Sequence, residues 1–175
     1  MKEFAIGSLF DIIKGKRLTK ANMKSGGINF VGATADNNGI TNHIANSKFL
    51  HPANTITVTY NGSVGEAFYQ IAPYWASDDV NVLYSKKTLV EDSALFFLAP
   101  IRHKGKGYGY SFKWTKDKMK KDTIWLPVKN DGSTIDYHFM EIYISAIKKQ
   151  CIAKLKKEID NEHEAFQKVM EGAGT

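Results

Sequence analysis

From Tyr137 to Met170 the sequence carries neither proline nor glycine, and only a single long helix accommodates such a run. Apolar residues recur along it at helical spacing, from Phe139, Ile142 and Tyr143 through Ala146 and Ile147 to Cys151. From Ile152 the steps settle to threes and fours: Ile152, Leu155, Ile159, Glu162, Phe166, Val169. This is a coiled-coil seam with one polar intruder, Glu162, flanked by Lys and Glu on both sides. Gly172 and Gly174 supply the stop. At about 1.5 Å per residue, such a helix outruns a domain of this size. Two arrangements fit: a helix packed on its own domain, or a seam open to a second helix. Charged residues dominate after Ile152 and the apolar stripe is narrow, which favours the open seam there. Cys151, among Ile147, Ile152 and Leu155, is expected to be a buried, inert thiol. The chain thus divides into a domain over residues 1–136 and a spacer or dimerisation helix over residues 137–171.

The stretch before the helix carries other signals. Met1 to about Lys24 is basic and reads as helical at its start. Asn54 to Tyr60 (NTITVTY) is β-branched with period-two alternation, a strand. Asn61-Gly62 suits a tight hairpin turn, with Gly65 to Gln70 as the returning strand. Val80–Leu83, Leu95–Leu98 and Ile124–Val128 are further apolar runs, the last marked by Pro127 as an edge or strand end. Lys86 to Ala99 also shows a weaker helical pattern, with Leu89, Ala94 and Leu95 on one face. Gly32–Ile40 (GATADNNGI) and Arg102–Ser111 (RHKGKGYGYS) read as polar, glycine-bearing loops. The predicted fold class is α+β: one domain around a twisted, mainly antiparallel sheet, then a long C-terminal coiled-coil helix.

A net charge of +6 and a pI near 9.2 make polyanions the expected partners: DNA, RNA or an anionic membrane surface. No apolar run is long enough to span a bilayer, and the acids Glu3 and Asp11 spoil any signal-peptide reading of the N-terminus. The single cysteine allows no intrachain disulfide. A cytoplasmic location is expected. Sites for chemistry are hard to find. An amino-methyltransferase needs a Gly-rich loop after a strand and an Asn/Asp-Pro-Pro-aromatic motif, and the four prolines include no Pro-Pro pair. Asp78-Asp79 is the closest approach to a nuclease metal site, yet adjacent strand residues face opposite ways, so a turn or cap suits them better. His43, His51, His103, His138 and His163 show no metal-ligand spacing. Gly105, Gly107 and Gly109 lack the context of a phosphate loop. No catalytic residue, metal or cofactor is expected.

The binding signal is stronger. From Arg102 to Lys121 there are eight cations against one acid, Asp117, with Tyr108, Tyr110, Phe112 and Trp114 interleaved. Cations neutralise phosphates and release counterions, while aromatics and glycines permit close approach to sugars and bases. The same four aromatics share one face of a strand if the segment is extended, as core residues would. A second basic group comprises Lys14, Lys16, Arg17, Lys20 and Lys24. The Asn/Thr/Gly loop from Gly32 to Asn42 offers amides and hydroxyls suited to base edges, although Asn and Gly are equally turn formers.

The order of these pieces resembles the target-recognition domain of restriction–modification specificity subunits, as in type I systems and related type II fusions. The similarity is carried by FAIGSLFDIIKGKRLTK, GINFVGATADNNGI, NTITVTYNGSVGEAFYQ, WASDDVNVL and IWLPVKNDGSTIDYHFMEIYI. The resemblance implies recognition of part of a bipartite DNA sequence, with the long helix as a spacer that docks methyltransferase subunits, and possible association with a restriction subunit. Subunits of that family carry two recognition domains and two such helices; this sequence holds one of each, like a half-subunit. Homodimerisation through Ile152, Leu155, Ile159, Phe166 and Val169 would place two identical domains on a palindromic, interrupted site. The residues expected at the DNA face are Lys16, Arg17, Asn37, Asn38, Asn61, Ser63, Arg102, Lys104, Lys106 and Tyr108. Two other classes fit the composition: a general RNA- or single-strand-binding module, and a small enzyme built on Cys151.

Overall fold

The run Thr55–Thr59 forms a strand buried along its whole length, and its sequence says why. Ile56 and Val58 enter an apolar core on one face. Thr55 and Thr57 face the other way and satisfy their hydroxyls there. Thr57 Oγ1 donates to the Phe68 carbonyl at 3.2 Å, and Thr55 Oγ1 meets the Tyr74 hydroxyl at 2.9 Å. Branched Cβ atoms suit a pleat, and a buried hydroxyl needs a partner.

The computed structural model describes residues 1–172. In chain order these form β1 (Lys2–Ala5), a single turn α1 (Ile6–Leu9), β2 (Phe10–Lys14), β3 (Ser25–Val31), β4 (Ile40–Ile44), β5 (Thr55–Thr59), β6 (Ala67–Gln70), β7 (Tyr74–Ala76) and β8 (Val80–Ser85). There follow α2 (Glu91–Gly105), α3 (Lys116–Lys121), β9 (Thr123–Leu126) and α4 (Tyr137–Gly172). Three sheets result: β2-β8-β5-β6, fully antiparallel; β4-β3-β7, in which β3 and β7 run parallel; and the pair β1-β9. The fold class is the expected mixed α+β, mainly antiparallel, with a long C-terminal helix.

Alternation along β8 shows how the layers stack. Leu83 joins Phe10, Ile12, Ile56, Phe97, Ile101, Trp114 and Met140 in the core between the four-stranded sheet and the helices. Val80 and Val82 face the opposite way and pack on Val31, Tyr74 and Ala76 of the three-stranded sheet. Phe30, Ile44 and Trp75 cover that second sheet's outer face, under Leu18 and Met23. The four-stranded sheet is therefore buried on both faces.

Several local expectations change. The N-terminal residues are strands around one helical turn, because Ile6, Phe10 and Ile12 alternate into the core. Asn61-Gly62 does not make a two-residue turn: residues 60–66 form a longer connection, with Gly62 and Gly65 both at positive φ. Leu95–Leu98 is helical, within α2, which continues through Arg102 and Lys104. Glu91 and Asp92 in its first turn and Arg102, His103 and Lys104 in its last complement the helix dipole. From Lys106 the expected loop is present, and residues 106–115 form a looped turn, not the extended alternative: Gly109 and Phe112 exchange backbone hydrogen bonds at 3.2 Å. Tyr108, Phe112 and Trp114 stack there, while Tyr110 points to solvent, 81% exposed.

The last helix begins where Asp136 Oδ1 accepts from Phe139 N at 3.0 Å, an N-cap bond. Met140 is buried, and Phe139 and Tyr143 meet Phe96 of α2 edge-on. Lys148 closes the contact, its Nζ 2.7 Å from Glu91 and 2.6 Å from Asp92. Beyond Lys148 every side chain through Met170 is exposed. Cys151 is therefore exposed, not buried: the domain surface has ended before it. Gly174 lies outside the described residues.

Candidate nucleic-acid interface

Seven strand ends meet at one end of the two larger sheets: the C-termini of β2, β3, β5 and β7 and the N-termini of β4, β6 and β8. The connections that follow them are laced together. Gly15 N donates to the Val80 carbonyl and Lys16 N to the Ala76 carbonyl, both at 2.9 Å. Ser77 N donates to the Val31 carbonyl at 2.9 Å and Tyr60 N to the Asp79 carbonyl at 3.1 Å. Asn61 Nδ2 donates to Asp79 Oδ1 at 2.9 Å, and Arg17 Nη1 lies 3.4 Å from Asp78. Asp78 and Asp79 are thus turn acids that brace the loops. Gly62, at φ +67°, approaches Ala33 so closely that a Cβ would sit 2.8 Å from its carbonyl. That approach brings Ser63 to the start of the Gly32–Gly39 loop.

Lys16, Arg17, Asn61 and Ser63 accordingly share this end. Lys14 joins them with its Nζ 5.1 Å from the Tyr60 ring centroid. The Tyr60 hydroxyl, above all, holds the Lys14 ammonium above its ordinary range, with Asp78 and Asp79 adding to the effect. Leu18 and Met23 anchor the segment after β2 on the second sheet, leaving Lys16, Arg17, Lys20 and Lys24 in solvent.

Arg102, Lys104, Lys106 and Tyr108 form a second group at the C-terminus of α2. Their chemistry is partly internal. Arg102 Nε donates to the Ala67 carbonyl at 3.0 Å, lies 3.4 Å from Glu66, and its guanidinium covers the Phe68 ring at 4.9 Å. Lys104 Nζ lies 3.6 Å from Asp122. The Tyr108 hydroxyl donates to Asp122 Oδ2 at 2.6 Å, beside the Trp114 indole N–H at 2.7 Å. Burial and that carboxylate push the Tyr108 hydroxyl up to about 12. Lys106 is exposed. The β5–β6 connection links the two groups, with Asn61 on one side and Gly65 packed on Gly105 on the other.

Asn37 and Asn38 lie along the outer edge of β6. Both adopt left-handed backbone, φ 46° and 54°. Asn38 Nδ2 donates to the Tyr69 carbonyl at 3.2 Å, and Gln70 Nε2 returns a bond to the Asn38 carbonyl at 3.1 Å. Asn38 and Arg102 therefore cap the two outward carbonyls of an edge strand. Sequence reasoning missed Tyr60, Lys48 and Phe49. Tyr60 ends a legible strand, whereas Lys48-Phe49 lies between strands with no periodicity or motif to mark it.

Comparison with known proteins gives this arrangement a family. The family model described as type I restriction modification DNA specificity domain matches residues 1–157. A curated relative, the type II restriction enzyme specificity subunit S.BcgI of Heyndrickxia coagulans, is 40% identical over 162 residues. That match covers 90% of this chain and 47% of the relative, so the chain spans about half its length. Among solved structures, the type I restriction–modification S subunit from M. genitalium superposes with a TM-score of 0.63 at 18% identity, covering 91% of this chain and 42% of that one. The HsdS subunit from Thermoanaerobacter tengcongensis gives 0.61 at 18% identity, over 89% of this chain and 39% of its own. A type I restriction–modification assembly gives 0.66 at 18% identity, over 93% and 42% respectively. A family of DNA specificity domains does not favour the general RNA- or single-strand-binding alternative. Among the described residues no helix is long and apolar enough to cross a membrane. The chain belongs to the type I restriction–modification DNA specificity domain family.

Proposed function

We propose that this chain reads one half of an interrupted DNA sequence on behalf of a restriction–modification system and carries out no chemistry itself. The observation that carries this reading is the convergence of strand-end loops bearing Lys16, Arg17, Asn61 and Ser63, in a chain of this family. Charged side chains there would hold phosphates, and the amides and hydroxyls beside them would read base edges. Residues 1–136 act as the recognition domain and residues 137–171 as the helix that docks methyltransferase subunits and, where present, a restriction subunit. Two copies pair through Ile152, Leu155, Ile159, Phe166 and Val169 and read a two-fold symmetric site. The location is cytoplasmic, where the DNA lies.

Within the site the residues divide by task. Lys16, Arg17 and Lys106 contact phosphates. Asn37 and Ser63 face bases, while Asn61, its Nδ2 held by Asp79 and its Oδ1 buried, shapes the loop that carries Ser63. Asn38 and Arg102 hold the β6 edge in shape, Lys104 and Tyr108 hold the turn after α2, and these four act on DNA through position. Methylome sequencing of cells carrying the chain and its methyltransferase tests the whole reading. The expected result is one modified motif, bipartite and palindromic, that vanishes when the chain is deleted. Methylation unchanged by the deletion would sink it.

A further inference from the structure

One group of side chains extends this interface from Lys16 to residues that have no part in it so far, Lys48 and Phe49. Phe49, in the segment between β4 and β5, is 42% exposed. Its ring meets Trp75 edge-on, 5.5 Å between centroids and 85° between planes. Trp75 is itself fixed, its indole N–H donating to the Lys16 carbonyl at 2.6 Å. Lys16 Nζ lies 5.5 Å from the Phe49 centroid and Lys48 Nζ 5.4 Å from it. The two segments that carry these residues are stitched together. Asn46 Oδ1 accepts from Lys24 N at 2.8 Å, Asn46 Nδ2 donates to the Asn22 carbonyl at 3.1 Å, and Ala45 N donates to the Lys24 carbonyl at 2.7 Å.

A single lysine lying over a phenylalanine is ordinary cover for an apolar ring. Two ammonium groups on one exposed ring repel each other, and the fold gains nothing from the second. Among the described residues neither Lys16 nor Lys48 has a carboxylate within ion-pair distance. Arg17, Lys20 and Lys24 extend the positive field along the same segment, and Asp78 answers only Arg17. The ligand that relieves this arrangement carries repeated negative charge with apolar surface between the charges. A nucleic-acid strand has that form: one phosphate per 3.4 Å of axis, separated by sugars.

We propose that Lys16, Phe49 and Lys48 form a sequence-neutral clamp on the DNA backbone, the two ammonium groups taking neighbouring phosphates of one strand and the ring packing on the sugar between them. The clamp rests on the reading of this chain as a duplex-DNA binder. It sets affinity and register, while the loops at the strand ends set preference.

Fluorescence anisotropy with the whole chain tests it, on two unrelated duplexes of roughly 30 base pairs between about 50 and 200 mM KCl. Lys48→Ala lowers the slope of log affinity against log salt by about 0.9 on both duplexes. Phe49→Leu keeps an apolar contact with Trp75 but loses the flat ring, and weakens binding about fivefold or more at every salt concentration with the slope unchanged. Both variants keep the wild-type Tm. If both bind like the wild type, the clamp is overturned and the DNA-binding reading stands. A loss confined to one of the two duplexes also overturns it, since that is base readout. If Phe49→Leu lowers Tm, Lys48→Ala decides, and an unchanged slope overturns the clamp. A wild-type chain that binds neither duplex at the lowest salt overturns the DNA-binding reading and the clamp together.

Discussion

At the scale of single residues, the side-chain types that suggest DNA contact are also the types that finish a strand edge. Asn38 shows the two roles competing. Its left-handed φ of 54° is tolerable for Asn, and its amide bonds the Tyr69 carbonyl. Asn38→Gly loses only the bond, whereas Asn38→Ala loses the bond and strains the backbone. The alanine variant should be less stable than the glycine variant by about 1 kcal/mol in urea unfolding. The reverse order would show that the turn does not need this conformation. His51 makes a second residue-scale case. It is buried, stacked on Tyr74, with Nδ1 2.7 Å from the Tyr84 hydroxyl. Burial holds its pKa below the usual 6.5, so the unfolded chain takes up a proton before the folded one does. The contribution of His51 is therefore complete above pH 6.5 and lost as pH falls from there toward the folded value, with a slope of at most about 1.4 kcal/mol per pH unit. Thermal unfolding of wild type and His51→Gln between pH 7 and 5 should show a steeper fall in Tm for the wild type. Parallel curves would remove His51 from the account. From sequence alone both residues are legible as polar and turn-prone or titratable, but not their partners, because Tyr69 and Tyr84 are brought to them only by sheet pairing.

Among the elements, strands proved legible where one face was distinct and helices where no breaker intervened. NTITVTY gave β5 because alternation and branching agree. α2 is less legible, because Pro100 interrupts its helical pattern and the glycines after Ile101 imitate a loop. Glycine at 105 has a packing cause instead. α2 ends against the β5–β6 connection with Gly105 on Gly65, and a Cβ on Gly105 would lie 2.5 Å from Gly65 Cα. Gly105→Ala must push the helix end away from Gly65, Glu66 and Ala67. A loss of about 1–3 kcal/mol in unfolding free energy is expected, the range for overpacking a close contact. Because Arg102 rides on the same turn and caps Ala67, hydrogen exchange in β6 should rise with it. A variant as stable as wild type, with β6 unchanged, would mean the contact yields freely. The division into three sheets was beyond the sequence, since a strand buried on both faces looks the same whichever sheets cover it.

For the whole molecule, the long helix was the most legible feature and its use the least. Met140 is buried, Lys148 is tied to Glu91 and Asp92 of α2, and half-buried Ile144 lies one turn from each; Ile152, Leu155 and Ile159 continue that stripe past Glu91, where α2 begins. The seam is thus the α2-facing stripe after its partner has run out. Its steps of three, four, three, four and three are symmetric about the midpoint between Asp160 and Asn161. On the proposed homodimer, an antiparallel second copy sets Ile152 against Val169, Leu155 against Phe166 and Ile159 against Glu162. Before the midpoint Lys154, Lys156 and Lys157 outnumber Glu158 and Asp160, and after it Glu162 and Glu164 outnumber Lys168, so antiparallel pairing opposes unlike net charge, with Lys157 across from Glu164, and parallel pairing opposes like charge. Only Glu162 is out of place, two carboxylates brought near the dimer axis and taken from water. Glu162→Leu should therefore tighten the dimer about tenfold or more in sedimentation equilibrium. Leu155→Glu, which adds a charge to the seam, should give monomers at the same concentrations. If Glu162→Leu is as monomeric as Leu155→Glu at tens of micromolar protein, the seam does not join two copies of this chain, and the helix would serve other subunits alone.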